Sequence, residues 1–197
     1  LIFFGFPNSP SLIYVLASSF LHFFYQLFLL SAYKHGELSQ VYPVARGISP
    51  LLIVLVITFF LGENLSSLEL LGIASISISI ILYGIKIGLG SSLELRGFIF
   101  AICTGAFIAS YSLVDGYGVK VAQNAIGFYS ALTILNGLMF SLFLFFFSKE
   151  TFANLVKNGQ KIFWIGGSVS FVAYALVVWA CLYLPIPVVY TLRETSV

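Results

Sequence analysis

Two arginines stand in stretches of this chain that are otherwise almost wholly apolar. Arg46 lies within residues 39–63, which are long enough to cross a bilayer, and Arg193 lies near the end of the sequence. A guanidinium inside a membrane costs about 2.5–3.5 kcal/mol on insertion scales, so it usually faces a protein interior or a wet cavity. Each arginine could bind an anionic group, or act as a structural pin satisfied by helix carbonyls or by a carboxylate such as Glu194.

The two arginines occupy matching places in similar segments. Val41-Tyr-Pro-Val-Ala-Arg-Gly-Ile-Ser49 aligns with Val188-Val-Tyr-Thr-Leu-Arg-Glu-Thr-Ser196, with valine, arginine and serine in common. Transporters built from repeats carry matching interrupted helices in their two halves. The alignment therefore favours a duplicated transporter fold in which both arginines line one substrate cavity.

Prolines and a glutamate accompany Arg46. Pro43 and Pro50 each remove a backbone donor, which predicts a locally broken helix lining a cavity, with an ordinary kink as the alternative. Glu63 lies about 25 Å beyond Arg46 along a helix, so the two cannot pair directly within it. Glu63 is expected at the far interface, as a helix end, a cap or a salt bridge; gating or proton carriage is the alternative.

Polar side chains also stand inside the other apolar blocks. His22 and Gln26 are one helical turn apart, and two polar groups there should face the protein interior. A histidine could bind a proton in the physiological pH range, or simply pack as a hydrogen-bonded core residue. Gln26 and His22 are therefore candidates for the cavity.

Tyr111 and Asp115 share a stripe of the block 96–118. Asp115 could exchange a proton during transport. Its position about 28 Å from the start of the helix favours a place at the membrane interface instead. Tyr174 and Trp179 are further cavity candidates, with helix packing or an aromatic belt as the simpler interpretation.

The elements that must position these residues are membrane-spanning helices. Hydrophobic residues make up 60% of the chain and charged residues 8%, against about 25% charged in soluble domains, which excludes a water-soluble domain. A net charge of +2 is too small to indicate a nucleic-acid partner. Full spans are predicted near residues 12–33, 40–62, 68–86, 96–118, 126–147 and 162–183.

The ends and links of these spans complete the expected topology. Residues 1–6 are expected to be the tail of a helix, and a last, partial helix is expected to open near Pro187. The longest polar link is 148–161. Alternate links hold six basic residues on one side and Lys120 on the other, so the positive-inside rule places the first side in the cytoplasm.

A resemblance to a known family rests on several short motifs. Pro43-x-x-Arg46-x-x-x-Pro50 is followed by Leu61-Gly62-Glu63 and Leu71-Gly72, and the second half contains Val114-Asp-Gly-Tyr-Gly-Val-Lys120 and Leu192-Arg-Glu-Thr-Ser196. These segments resemble the EamA-type family of the drug/metabolite transporter superfamily.

The resemblance implies an all-α polytopic membrane protein of ten helices, built from two inverted repeats of five. This chain would hold about six full helices and partial ones at each end, with residues 1–88 the remainder of the first repeat and 89–197 an incomplete second. The family pattern would place the link 148–161 outside the cell, against the count of basic residues. A bacterial-type inner or plasma membrane is implied.

The predicted function is secondary transport, by alternating access, of a small polar or amphipathic metabolite, in the direction of export. Its expected partners are that substrate, the bilayer and protons as a candidate coupling ion, with no cofactor, metal or nucleic acid. An intramembrane enzyme is the alternative, although two histidines cannot form a His-x-x-x-His metal pair and no Gly-x-Ser-x-Gly elbow is present. A channel or receptor subunit is a third possibility.

Overall fold

The computed structural model describes residues 5–88 and 95–196, and within these ranges the chain is helical, with no strand. A short 3-10 turn at Ser9–Ser11 precedes the first α-helix. The α-helices are α1 Leu12–Lys34, α2 Leu38–Phe60, α3 Ser67–Gly88, α4 Leu95–Ala122, α5 Ala125–Phe147, α6 Lys149–Asn158, α7 Gln160–Ala180 and α8 Ile186–Glu194.

Six of the described helices are long and apolar enough to cross a bilayer, namely α1–α5 and α7. This confirms the predicted number of full spans and makes the chain a multi-pass membrane protein. The expected helix tail at residues 1–6 falls partly on residues 1–4, outside the described ranges. The expected repeat boundary between residues 88 and 89 borders residues 89–94, which also lie outside them, so the division into inverted repeats stays a prediction.

Local side-chain caps explain where several helices begin. The Asn124 side chain accepts a hydrogen bond from the Gly127 backbone at 2.9 Å and starts α5 directly after α4. Ser66 and Glu69 form a reciprocal capping box at the start of α3, because the Glu69 carboxylate accepts from the Ser66 backbone at 2.8 Å and the Ser66 hydroxyl accepts from the Glu69 backbone at 3.3 Å.

Helix α2 differs from the sequence expectation at its prolines. The helix runs without interruption through both Pro43 and Pro50, and both side chains are buried, so no broken segment separates its two halves. A proline removes one backbone donor, and contacts with neighbouring helices can hold the rest of a membrane helix in place. The predicted helix break at Pro43 and Pro50 is corrected to a continuous helix.

The expected polar link at 148–161 also differs, because it contains the helix α6. Phe152, Leu155 and Val156 lie on one side of α6, and polar residues cover the other side. Since α6 joins the end of α5 to the start of α7, and both are long and apolar enough to span a membrane, we expect it to lie along the membrane surface. An amphipathic helix of this length is too polar in composition to be recognised as a membrane element.

The chain divides into two units that pack mainly within themselves. The first unit comprises the chain up to Phe23 together with Asp115–Tyr183, which includes α5, α6 and α7. The second unit comprises Phe24–Val114 and the segment from Leu184 onward, which includes α2, α3 and α8. Helices α1 and α4 each contribute one part to either unit.

Small residues allow close helix packing in the second unit. A methyl group added at Gly105 of α4 would lie 2.7 Å from the Ala45 carbonyl oxygen of α2, and one added at Gly84 of α3 would lie 3.1 Å from the Val44 side chain. Close approach through small residues is how membrane helices gain van der Waals contact without a hydrophobic driving force. This packing fixes the face of α2 that carries Arg46.

Candidate functional site

The second unit contains a cluster of two guanidinium groups and one carboxylate, here called the arginine cluster: Arg46, Arg193 and Glu194. Arg46 Nη1 on α2 lies 2.9 Å from Glu194 Oε2 on α8. Arg193 Nε donates to Glu194 Oε1 at 3.0 Å, and its Nη2 contacts the same oxygen. The two arginines that the sequence aligned therefore meet on one carboxylate.

The three side chains of the arginine cluster differ in burial, and their formal charges do not sum to zero. The Glu194 side chain has no exposed surface, whereas Arg46 and Arg193 keep 19% and 11% of theirs. The Arg46 nitrogen and the Glu194 oxygen are at ion-pair distance, but their alignment does not make a hydrogen bond. The two guanidinium groups and the one carboxylate of this cluster sum to a formal charge of +1, because arginine stays protonated in proteins.

Tyrosine rings cover the two guanidinium groups. The Tyr42 ring centre lies 4.6 Å from Arg46 Cζ. Those of Tyr190 and Tyr111 lie 4.7 Å and 5.8 Å from Arg193 Cζ. Such faces attract a cation without neutralising its charge. The arginine cluster is thus stabilised in place while it remains electrically positive.

The arginine cluster joins the interior of one helix to the end of another. Arg46 is about 12 Å from the start of α2, whereas Arg193 and Glu194 are the last two residues of α8. A cleft of about 290 Å³ adjoins Glu194 and is lined by Ser79, Ile80 and Tyr83 of α3 and by Thr195. The lining given for this cleft includes Glu194 but neither of the two arginines.

The first unit contains a second polar group, here called the Asp115 cluster: Ser18, His22, Asp115 and Tyr174. The Ser18 hydroxyl of α1 donates to Asp115 Oδ1, and the Tyr174 hydroxyl of α7 donates to Oδ2 at 2.7 Å. His22 Nε2 lies 3.1 Å from Oδ2. Asp115 itself has no exposed side-chain surface, while His22 keeps 14%.

The expected place of Asp115 at the membrane interface stays a prediction, and its burial shows only that the side chain points into the first unit. Asp115 lies about 10 Å before the end of α4, and Tyr174 lies about 9 Å before the end of α7. Its carboxylate accepts hydrogen bonds within the protein and has no exposed surface. The carboxylate is therefore an interior group of the first unit.

Aromatic and amide contacts hold the Asp115 cluster. The Tyr174 ring lies 5.9 Å from the His22 ring, edge to face, and 5.0 Å from the Tyr129 ring of α5. Asn136 Nδ2 donates to the Ser19 backbone carbonyl at 3.2 Å and links α5 to α1 next to this cluster. The interaction of three helices thus determines where the His22 and Tyr174 side chains lie.

The other predicted site residues lie outside both clusters. Trp179 is 51% exposed, and its ring packs against Tyr183 at 5.2 Å, as an aromatic belt would. Glu63 is exposed just beyond the end of α2, where its backbone donates to the Ile57 carbonyl at 3.2 Å. Gln26 is half-buried on the part of α1 that belongs to the second unit. Their predicted functional roles stay predictions.

Three residues of these sites were missed by sequence reasoning: Ser18, Tyr42 and Tyr190. Ser18 lies four positions before His22, Tyr42 four before Arg46, and Tyr190 three before Arg193. Residues three or four apart share a helix face. This spacing of three or four residues was the feature of the sequence that could have identified Ser18, Tyr42 and Tyr190.

The two clusters offer different chemistry. The arginine cluster can bind an anion, and the Asp115 cluster can bind a proton or a cation. Among residues 5–88 and 95–196, no three histidine, cysteine, aspartate or glutamate side chains lie close enough to hold a metal ion. No protein-family model, no curated protein and no solved structure matches this chain.

Proposed function

We propose that the protein is a secondary membrane transporter that moves a small metabolite with an anionic group, such as a carboxylate. The observation that carries the proposal is the arginine cluster, where Arg46 of the apolar helix α2 and Arg193 of α8 meet on the buried Glu194. Ionisable groups in membrane-spanning segments are costly and usually mark a pathway for substrate or ions.

The charge of the cluster supports an anionic substrate. The two guanidinium groups and the Glu194 carboxylate sum to a formal charge of +1, so the cluster itself favours a negatively charged ligand. An approaching carboxylate would complete the balance and could accept paired hydrogen bonds from a planar guanidinium. The cleft of about 290 Å³ beside Glu194 offers space for a molecule of metabolite size.

The wider assignment is also proposed and rests on the sequence motifs. We infer an EamA-type carrier of two inverted repeats that exports its substrate by alternating access, from a bacterial-type inner or plasma membrane. A carrier needs a polar site for its substrate inside the membrane even though it breaks no bond. We therefore infer that the ionic groups on these helices serve transport rather than catalysis.

Flux into proteoliposomes tests this function. The full-length protein is reconstituted and offered labelled carboxylates, amines and neutral polar compounds of similar size. We expect carboxylates to cross faster than in protein-free liposomes, and excess unlabelled carboxylate to inhibit them. The Arg96→Gln variant is the matched control, because Arg96 is exposed in the first turn of α4 and should not alter flux.

Flux of amines or neutral compounds with no preference for carboxylates would overturn the anionic substrate class. Rates equal to those of protein-free liposomes for every compound would overturn transport itself. Orientation can be fixed in the same vesicles by labelling a cysteine placed on α6, so that the direction of flux is read from a known side.

A further inference from the structure

We propose that the Asp115 cluster is a proton-binding site, in which His22 takes up one proton beside the Asp115 carboxylate. The binding of this proton is argued independently of the carrier function. The further step, in which the proton drives substrate movement, rests on the proposed carrier function. The observation behind the proposal is the nature of the partner that each buried carboxylate has in this protein.

Among the described residues, two carboxylates are buried, Asp115 and Glu194, and they are paired in different ways. Glu194 has two arginine partners, which keep their charge at every physiological pH. Asp115 has one ion-pair partner among the described residues, the imidazole of His22. Histidine is the side chain whose charge changes between about pH 5 and 8. The charge of the arginine cluster is therefore fixed, whereas that of the Asp115 cluster can vary.

The hydrogen bonds on Asp115 indicate which group takes the proton. Its two oxygens accept hydrogen bonds from Ser18 and Tyr174, so each oxygen already has a donor. His22 keeps 14% of its side-chain surface exposed, while Asp115 has none. The imidazole is therefore the member of the pair that a proton donor from outside the protein can contact.

The charge balance of this step is simple. One proton adds to the His22 ring, the imidazole becomes an imidazolium ion, and the net charge of the Asp115 cluster changes from −1 to 0. No other bond forms or breaks. Since an uncompensated charge is unfavourable in a protein interior within a membrane, the two states differ strongly in the solvation they need. A proton could thus shift a conformational equilibrium.

Among the described residues, the other ionisable groups with a recorded interaction with Asp115 are two tyrosines. Tyr174 faces Asp115 from α7, and the Tyr129 phenol on α5 lies close enough to interact with it electrostatically. The lysine of the same helix, Lys120, has its ammonium 5.9 Å from the Tyr117 ring centre. Both tyrosines remain neutral in the pH range in which a histidine titrates.

Infrared difference spectroscopy tests the proton site directly. Spectra of the full-length protein in lipid nanodiscs, with isotope-labelled histidine, are compared between about pH 5 and 8. We expect imidazole bands of the wild-type protein to convert to imidazolium bands, with the part of this conversion that belongs to His22 lost in His22→Gln and kept in His35→Gln.

The proposal is overturned if the histidine bands of the wild-type protein do not change with pH, or if the same change persists in His22→Gln. The wild-type spectrum alone decides the first point, so a poorly folded variant does not obstruct the test.

A second measurement separates proton binding from coupling. Carboxylate accumulation in proteoliposomes is recorded with and without a pH gradient. We expect the gradient to drive accumulation in the wild type and in His35→Gln, and this drive to be lost in His22→Gln. Carboxylate accumulation that is the same with and without the pH gradient would overturn the coupling of proton binding to transport. Histidine titration without flux of any compound would support the proton site and overturn the carrier function.

Discussion

Arg46 Nη1 on α2 lies 2.9 Å from Glu194 Oε2 on α8. The two residues are far apart in sequence, and Arg193, which occupies the place equivalent to Arg46 in the aligned segments, binds the other oxygen of the same carboxylate. Two segments of similar sequence thus each place one arginine against the carboxylate of Glu194. The three side chains sum to a formal charge of +1, and the proposed anionic substrate depends on that charge.

Removing the carboxylate of the arginine cluster should destabilise the second unit. Glu194→Gln leaves two guanidinium groups without an anion, and breaking a buried pair costs about 3–5 kcal/mol. We expect a lower unfolding temperature in detergent, and a larger stabilisation by added acetate than in the wild type. Glu150→Gln, on the exposed face of α6, is the control. Unchanged unfolding of Glu194→Gln with no added response to acetate would contradict the described ion pair.

The Tyr174 hydroxyl should contribute measurably to the first unit. Tyr174→Phe keeps the ring but deletes the 2.7 Å hydrogen bond to Asp115, and a hydrogen bond to a charged group is worth about 1.5–3 kcal/mol. Tyr183→Phe is the matched control, because Tyr183 is 70% exposed. The stability of both variants is measured by denaturant unfolding. Equal losses in both variants would mean that the Asp115 contact does not stabilise the fold.

Helix contact at Gly105 should be sensitive to a single methyl group. A Cβ there would meet the Ala45 carbonyl oxygen at 2.7 Å, so Gly105→Ala must push α4 from α2. Overpacking of this kind costs about 1–3 kcal/mol. Gly72→Ala on α3 has open space and should be neutral or slightly stabilising. Thermal unfolding of the two variants distinguishes them, and equal stability would refute the close approach.

The expected position of α6 along the membrane surface predicts unequal labelling of adjacent residues. Leu155 and Asn154 are both exposed on the protein, but only Leu155 lies on the apolar side. In a background without Cys103 and Cys181, Leu155→Cys in liposomes should react with a water-soluble maleimide more slowly than Asn154→Cys. Similar rates in liposomes would place α6 in water, away from the bilayer.

The membrane helices could be predicted from the sequence because each span is a continuous apolar block of about 20 residues. Helix α6 could not be predicted in this way, since its 10 residues are a mixture of polar and apolar types and form no continuous apolar block. The continuous course of α2 through Pro43 and Pro50 depends on packing that the sequence does not specify.

The sites were predictable only within single helices. Periodicity identifies residues on one face, such as His22 and Ser18, but not which helix that face meets. Arg46, Arg193 and Glu194 were each identified as candidates, and Glu194 was named as an anion that could satisfy an arginine. That one carboxylate serves both arginines follows from the packing of α8 against α2, which is a tertiary contact.

The measurement that tests the central claim most directly is carboxylate flux through Arg46→Ala and Arg193→Ala in proteoliposomes, with Arg96→Ala as the control. Each variant is first checked for membrane insertion and for its amount in the vesicles. We predict that both cluster variants insert normally and lose most carboxylate flux, while Arg96→Ala retains it. Normal flux in both cluster variants would contradict the account and leave these arginines as structural residues.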